Sequence, residues 1–215
     1  MSEMEIRERV TNNLLLLYLI DQANERGNVE NDLKLQKLVF LSQMELMKRG
    51  LKAFSYNFFR WLKGPFSKNL AIDKSDLAEV GLVKVSRKGI ELTNRGKELL
   101  KDCRQIFEEE ENRKFVKYID EIIEKYAQFS PDEIKDIVYS MEVTVPKIRE
   151  IMNIKEIPLG KLILFKTADR NASDIFHISG SWLATFEIMF DKEALSSLER
   201  AVDDAVEGRA DELTL

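Results

Sequence analysis

Few residues in this chain could do covalent chemistry. His177, the single histidine, sits in Phe176-His177-Ile178, where an imidazole could act as a general base. No motif surrounds it, and it reads as an ordinary structural or surface histidine. Cys103, the single cysteine, lies near Lys101 and Arg104, cations that would lower a thiol pKa. It has no spaced partner and reads as an inert thiol. Ser179-Gly180-Ser181 lacks the flanking pattern of a nucleophile elbow. The run Glu108–Glu111 could attract cations but lacks the alternating ligand spacing of a calcium loop, so it reads as a solvated helix face. Neither GxGxxG nor a Walker A motif occurs. One Cys and one His cannot build a zinc finger or a disulfide framework. The expectation is a protein without catalytic residues, metal or cofactor.

Charge is more informative than nucleophiles. The 215 residues carry 33 Lys+Arg against 38 Asp+Glu, a net −5 that hides a strong segregation. Residues 34–68 hold eight bases against the single acid Glu45, a local +7, whereas residues 105–215 hold 14 bases against 24 acids, a local −10. Such halves attract each other or two separate partners. The longest apolar run, Leu14 to Ile20, has seven residues, far short of the ~20 a spanning helix needs. The early acids Glu3 and Glu5 are wrong for a secretory signal. With the lone cysteine, this points to the cytoplasm.

The elements that would position these residues are mostly helical. Residues 5–26 form an apolar-striped helix stopped by Gly27-Asn28. Asn31 or Asp32 caps a second helix running to about Arg49, with Lys34, Lys37, Lys48 and Arg49 on its polar face. Residues 53–62 are aromatic-rich and extended, ended by a turn at Lys63-Gly64-Pro65. A helix over 66–80 is followed by strands 82–85 and 90–92 about a tight turn at 86–89, and Thr93 caps the next helix. Residues 97–127 are helical, interrupted by the acidic run. Ser130-Pro131-Asp132-Glu133 starts a helix through a capping box. Further expectations are a short helix over 144–152, strands at 162–165 and 183–190, and a helix capped by Asp191 and ended by Gly208. The fold class is α+β, mostly α. A helical domain with a winged-helix-like β-hairpin spans 1–157, and a small C-terminal α/β module spans 158–215.

The helix–hairpin–helix order admits DNA binding, with Arg87 and Lys88 at the hairpin tip as phosphate contacts. The helix before the hairpin argues against it: Lys68 and Lys74 face Asp73, Asp76 and Glu79, and a net −1 helix is repelled by phosphates. The basic second helix and the aromatic segment make a better surface, since aromatics and cations anchor protein interfaces.

Two motifs carry a family resemblance. Leu33–Gln43, reading LKLQKLVFLSQ, and Phe58–Ser67, reading FFRWLKGPFS, resemble the paired signature of the Panacea, or SocA-like, antitoxin domain. The matching residues are Leu35, Gln36, Lys37 and Leu38 in the helix, and Trp61, Gly64 and Pro65 after the strand. Ile122–Ser140 is similar to the family's closing segment. The resemblance covers about residues 10–142. It implies a non-enzymatic protein that neutralises a toxin by direct contact. The partner-binding patch is then assigned to Lys34, Lys37, Trp61, Lys63, Gly64 and Pro65. The acidic amphipathic stretch from Asp191 resembles antitoxin C-terminal helices and would suit a basic partner, a homodimer, or this chain's own basic surface. The alternative function is a winged-helix DNA-binding regulator.

Overall fold

Leu14, Leu15, Leu16, Leu17, Leu19 and Ile20 are consecutive or nearly so, and an apolar run of this kind coils into a helix with no solvated side. In the computed structural model, which describes residues 3–146, 149–166 and 172–206, all six are fully buried in α1 (Glu3–Arg26), the central helix. The second helix, α2 (Asp32–Lys48), starts where the Asn31 side chain accepts from the Lys34 amide at 3.2 Å. Every residue from Lys34 to Gln43 is buried, so the polar face expected at Lys34 and Lys37 is covered. The chain then passes through β1 (Leu51–Lys52), β2 (Phe58–Trp61), β3 (Gly64–Phe66) and α3 (Lys68–Glu79). The turn falls at Leu62-Lys63, one step earlier than expected. Gly64–Phe66 runs back antiparallel along β2, pairing Trp61 with Gly64.

The hairpin β4 (Val83–Ser86) and β5 (Gly89–Leu92) turns at Arg87-Lys88, as its spacing predicts. Its tip lies on the loop joining α1 and α2. Asn28 Nδ2 donates to the Lys88 carbonyl at 2.9 Å, and the Ile90 amide donates to Val29 at 2.8 Å. Thr93 caps α4 (Asn94–Asp102), which is followed by α5 (Arg104–Glu108), α6 (Glu110–Tyr126) and α7 (Pro131–Tyr139). The capping box at Ser130 is formed as the sequence predicts.

Two expected elements are of the other type. Residues 144–152 hold no helix; β6 (Glu142–Thr144) and β7 (Ile151–Asn153) form a hairpin, with residues 147–148 outside the described chain. Val143-Thr144-Val145 is β-branched, which disfavours helix, and Pro146 removes a donor. Residues 183–190 are not a strand: 183–189 belong to α8 (Gly180–Met189), which Phe190 ends, and which follows β8 (Leu162–Leu164) and β9 (Asp174–Ile175). A helix puts Trp182, Phe186 and Phe190 on one face, where their rings stack at centroid distances of 5.3 and 5.4 Å. Asp191 caps α9 (Lys192–Val206) through the Ala194 amide at 2.9 Å; the expected stop at Gly208 lies outside the described residues.

The result is the expected mostly helical α+β fold. Chain after residue 158 shares sheets with chain before it: β8 flanks β2 in the order β3-β2-β8, and β9 runs parallel to β1. No described helix is long and apolar enough to cross a membrane.

Candidate functional site

Three buried side chains on α2 organise the chain opposite. Gln36 exchanges two hydrogen bonds with the Ser67 backbone, each 2.9 Å. Gln43, two turns on, does the same with Tyr56, donating at 2.7 Å and accepting at 3.0 Å. Amides used in this way replace a missing strand partner for the segment on either side of the β2–β3 hairpin. Lys37, between them, donates from Nζ to the Pro65 carbonyl at 2.7 Å. The LQK portion of the motif is thus a set of backbone clamps, and the WLKGP portion is what they hold.

The hairpin tip fits closely over Lys37. Gly64 has φ +95°, in the left-handed region, and a Cβ there would lie 3.2 Å from Lys37 Cε and 3.6 Å from the Tyr139 ring. Tyr139, at the end of α7, donates its hydroxyl to the Leu62 carbonyl at 2.7 Å. Arg60 donates to the carbonyls of Ile154, at 3.0 Å, and Trp61, with its guanidinium 4.8 Å over the Tyr139 ring. These contacts leave Trp61 and Leu62 projecting outward, 54% and 70% exposed.

Between the tip and the start of α2 lies an open cavity of about 530 Å³. Leu33, Trp61, Leu62 and Phe66 supply apolar wall, and Lys37, Lys63 and Gly64 also line it. Lys37 is 2% exposed. Burial, with a smaller contribution from the nearby Arg60 charge, pushes its pKa down to about 7.

Of the residues singled out from sequence, Lys37, Trp61, Lys63 and Gly64 meet at this cavity, and Pro65 enters through its carbonyl. Lys34 does not line it: it is 1% exposed and pairs with Glu30 at 2.9 Å. Arg60 was legible from the sequence only as one of the basic residues beside the aromatic segment, and Gln43, Leu62 and Tyr139 were not assigned to the site. The signal for the glutamines was their seven-residue spacing, which puts both on one side of a helix. Arg87 and Lys88 are exposed on the β4–β5 turn, on a different part of the chain.

The groups with possible covalent chemistry are elsewhere. Cys103 is buried, and burial raises its thiol to about 12, overriding the expected effect of Lys101 and Arg104. His177 is half exposed, with Nδ1 3.5 Å from Glu109 and 3.8 Å from Glu111. Its backbone is held by Asn112, which donates to the His177 carbonyl and accepts from its amide, both at 2.8 Å. The described residues contain no group of three or more His, Cys, Asp or Glu placed to hold a metal ion.

No curated protein and no solved structure matches this chain. A family model does, over residues 35–143, just over half the chain, and it is described as the SocA-like antitoxin Panacea domain. The match begins at the α2 clamps, runs through the hairpin and its cavity, and ends just past Tyr139. The arrangement of Gln36, Lys37, Trp61, Gly64, Pro65 and Tyr139 is therefore internal to the matched region, and the chain belongs to the SocA-like antitoxin family that carries the Panacea domain.

Proposed function

We propose that this protein is a non-enzymatic antitoxin of the cytoplasm that neutralises a protein toxin by direct contact, and that the contact is made by the β2–β3 tip. One observation carries the reading: Trp61 and Leu62 are adjacent, large, apolar and more than half exposed, on a turn whose backbone is held by Tyr139, Arg60 and Lys37. A preorganised turn that displays a tryptophan pays little ordering entropy on binding, which is how interface hot spots behave. A second exposed apolar stripe, Leu198, Val202 and Val206 on the acidic helix α9, could extend the contact.

The test is co-expression with the toxin-like product of a neighbouring gene, followed by co-purification. Trp61→Ala should weaken the complex by about 30-fold or more, the scale of a hot-spot truncation, while leaving the antitoxin folded. Capture and growth rescue that are unchanged by Trp61→Ala and by Leu62→Ala would refute it. The DNA-binding alternative makes a different demand: duplex binding that falls steeply with salt and is lost in Arg87→Ala/Lys88→Ala.

A further inference from the structure

The Lys37 ammonium has three N–H groups and, among the described residues, one acceptor, the Pro65 carbonyl. No carboxylate among the described residues lies within 4 Å of it. The charge that acts on it most is Arg60, of the same sign. Arg60 itself bonds to two carbonyls and an aromatic face rather than to an acid. A cation withdrawn from water beside another cation is unfavourable unless an anion reaches it.

The cavity lining explains why the anion is not supplied internally. Asp32 is the only acid there, and Lys74 holds its Oδ1 at 2.9 Å. Gln36 has both amide atoms committed to Ser67. Of the remaining lining, Leu33, Trp61, Leu62 and Phe66 are apolar, while Asn31 and Lys63 are polar groups on the rim. What is left is a buried cationic donor on a slot about 530 Å³ in size, open to solvent, whose walls are apolar at Leu33, Trp61, Leu62 and Phe66. A phosphate would need several donors to replace its hydration, whereas one ammonium matches one carboxylate.

We propose that this cavity receives a glutamate side chain of the protein partner, its carboxylate on Lys37 Nζ and the flanking apolar residues of that segment against Trp61 and Leu62. The site rests on the reading of this face as the partner-docking surface, and it names the chemistry of the segment that docks. The depressed lysine titration fits: a bound carboxylate restores the charged form, so docking takes up a proton near neutral pH. The charged or titratable groups around the site are Arg60 on β2, whose charge acts on the ammonium, Tyr139 on α7, and Lys63 and Asp32, which line the same cavity.

The probe is acetyl-Leu-Glu-Leu-amide, compared with acetyl-Leu-Gln-Leu-amide and inorganic phosphate, on the full chain carrying 13C-labelled lysine. The Lys37 ε-methylene resonance is assigned by its loss in Lys37→Met. The glutamate peptide should shift it saturably and raise its titration midpoint by about one pH unit or more. Its affinity should fall by about tenfold per pH unit between the free and the bound midpoints and level off above the latter, and the glutamine peptide should bind at least tenfold more weakly. Equal responses to the two peptides, no response at millimolar peptide, or phosphate binding as tightly as the glutamate peptide would each overturn the proposal. Should Lys37→Met fail to fold, Lys37→Arg, which also removes the labelled lysine but keeps a cation, gives the same assignment, and the peptide comparison itself is made on the unmutated protein. No toxin is present, so the outcomes separate. A toxin captured equally well by Lys37→Met and Trp61→Ala would end the antitoxin-face reading without altering the peptide result.

Discussion

Replacing Lys37 by methionine should change the pH dependence of stability in a way that can be worked out. In the unfolded chain the lysine titrates at 10.5, and in the folded protein at about 7. Below pH 7 both states carry the proton, and folding bears the whole penalty of the buried charge. Over the interval from about 7 to 10.5, at about 1.36 kcal/mol per unit, that penalty is about 5 kcal/mol. Between the two midpoints the unfolded chain binds more protons, so stability rises with pH and the penalty is progressively relieved. Integrated from pH 7 to pH 9, the gain is about 2 kcal/mol; from pH 5 to pH 7 it is under about 0.5 kcal/mol. Methionine keeps an unbranched side chain, one heavy atom shorter, and removes the titrating ammonium. Urea unfolding of both proteins at pH 5, 7 and 9 gives the difference in ΔG, in which all other titrating groups, Asp73 among them, largely cancel. The stability of the unmutated protein relative to Lys37→Met should rise by about 2 kcal/mol between pH 7 and pH 9. A difference that stays flat within about 0.5 kcal/mol, or one that falls, would mean that the ammonium is solvated or paired, and would remove the physical basis of the cavity's charge.

Two further substitutions test how the tip is held. Gly64→Ala should destabilise by about 1–3 kcal/mol in urea, because its φ of +95° is strained for any L side chain and its Cβ would crowd Lys37 at 3.2 Å; unchanged stability would contradict the geometry. Gln43→Met should cost about 2–4 kcal/mol by stranding the amide and carbonyl of Tyr56, and should speed hydrogen exchange at the Tyr56 amide; a protected amide would show another partner taking over.

Much of the fold was legible because its signals are local. Asn31, Thr93 and Ser130 each cap a helix through an amide three residues on, a contact that needs no partner distant in the chain. The β4–β5 hairpin likewise closes over a two-residue turn. Ambiguity entered where apolar runs fit either period. Leu183–Phe190 reads as strand from its aromatic and β-branched residues, yet stacking of Trp182, Phe186 and Phe190 selects the helix. Residues 142–144 and 151–153 pair as a hairpin in which Val143 is covered by the core while Thr144 stays exposed, which periodicity over so few residues could not announce.

By itself, the sequence determined the capped helix starts at Asn31, Thr93 and Ser130, the mostly helical class, the scarcity of nucleophiles and metal ligands, and the two motifs that carry the family. It also placed Lys37, Trp61, Gly64 and Pro65 together as a signature. Only the tertiary structure decided what those residues do. Lys34 and Lys37 look solvated on any helical wheel, because a wheel knows only the spacing along one helix. Packing of β3 and α7 over α2 buries both and gives them different neighbours: Glu30 for Lys34, a lone carbonyl for Lys37. Burial and counter-ion are properties of chain segments far apart in sequence, and they separate an ordinary ion pair from an ammonium still short of its anion.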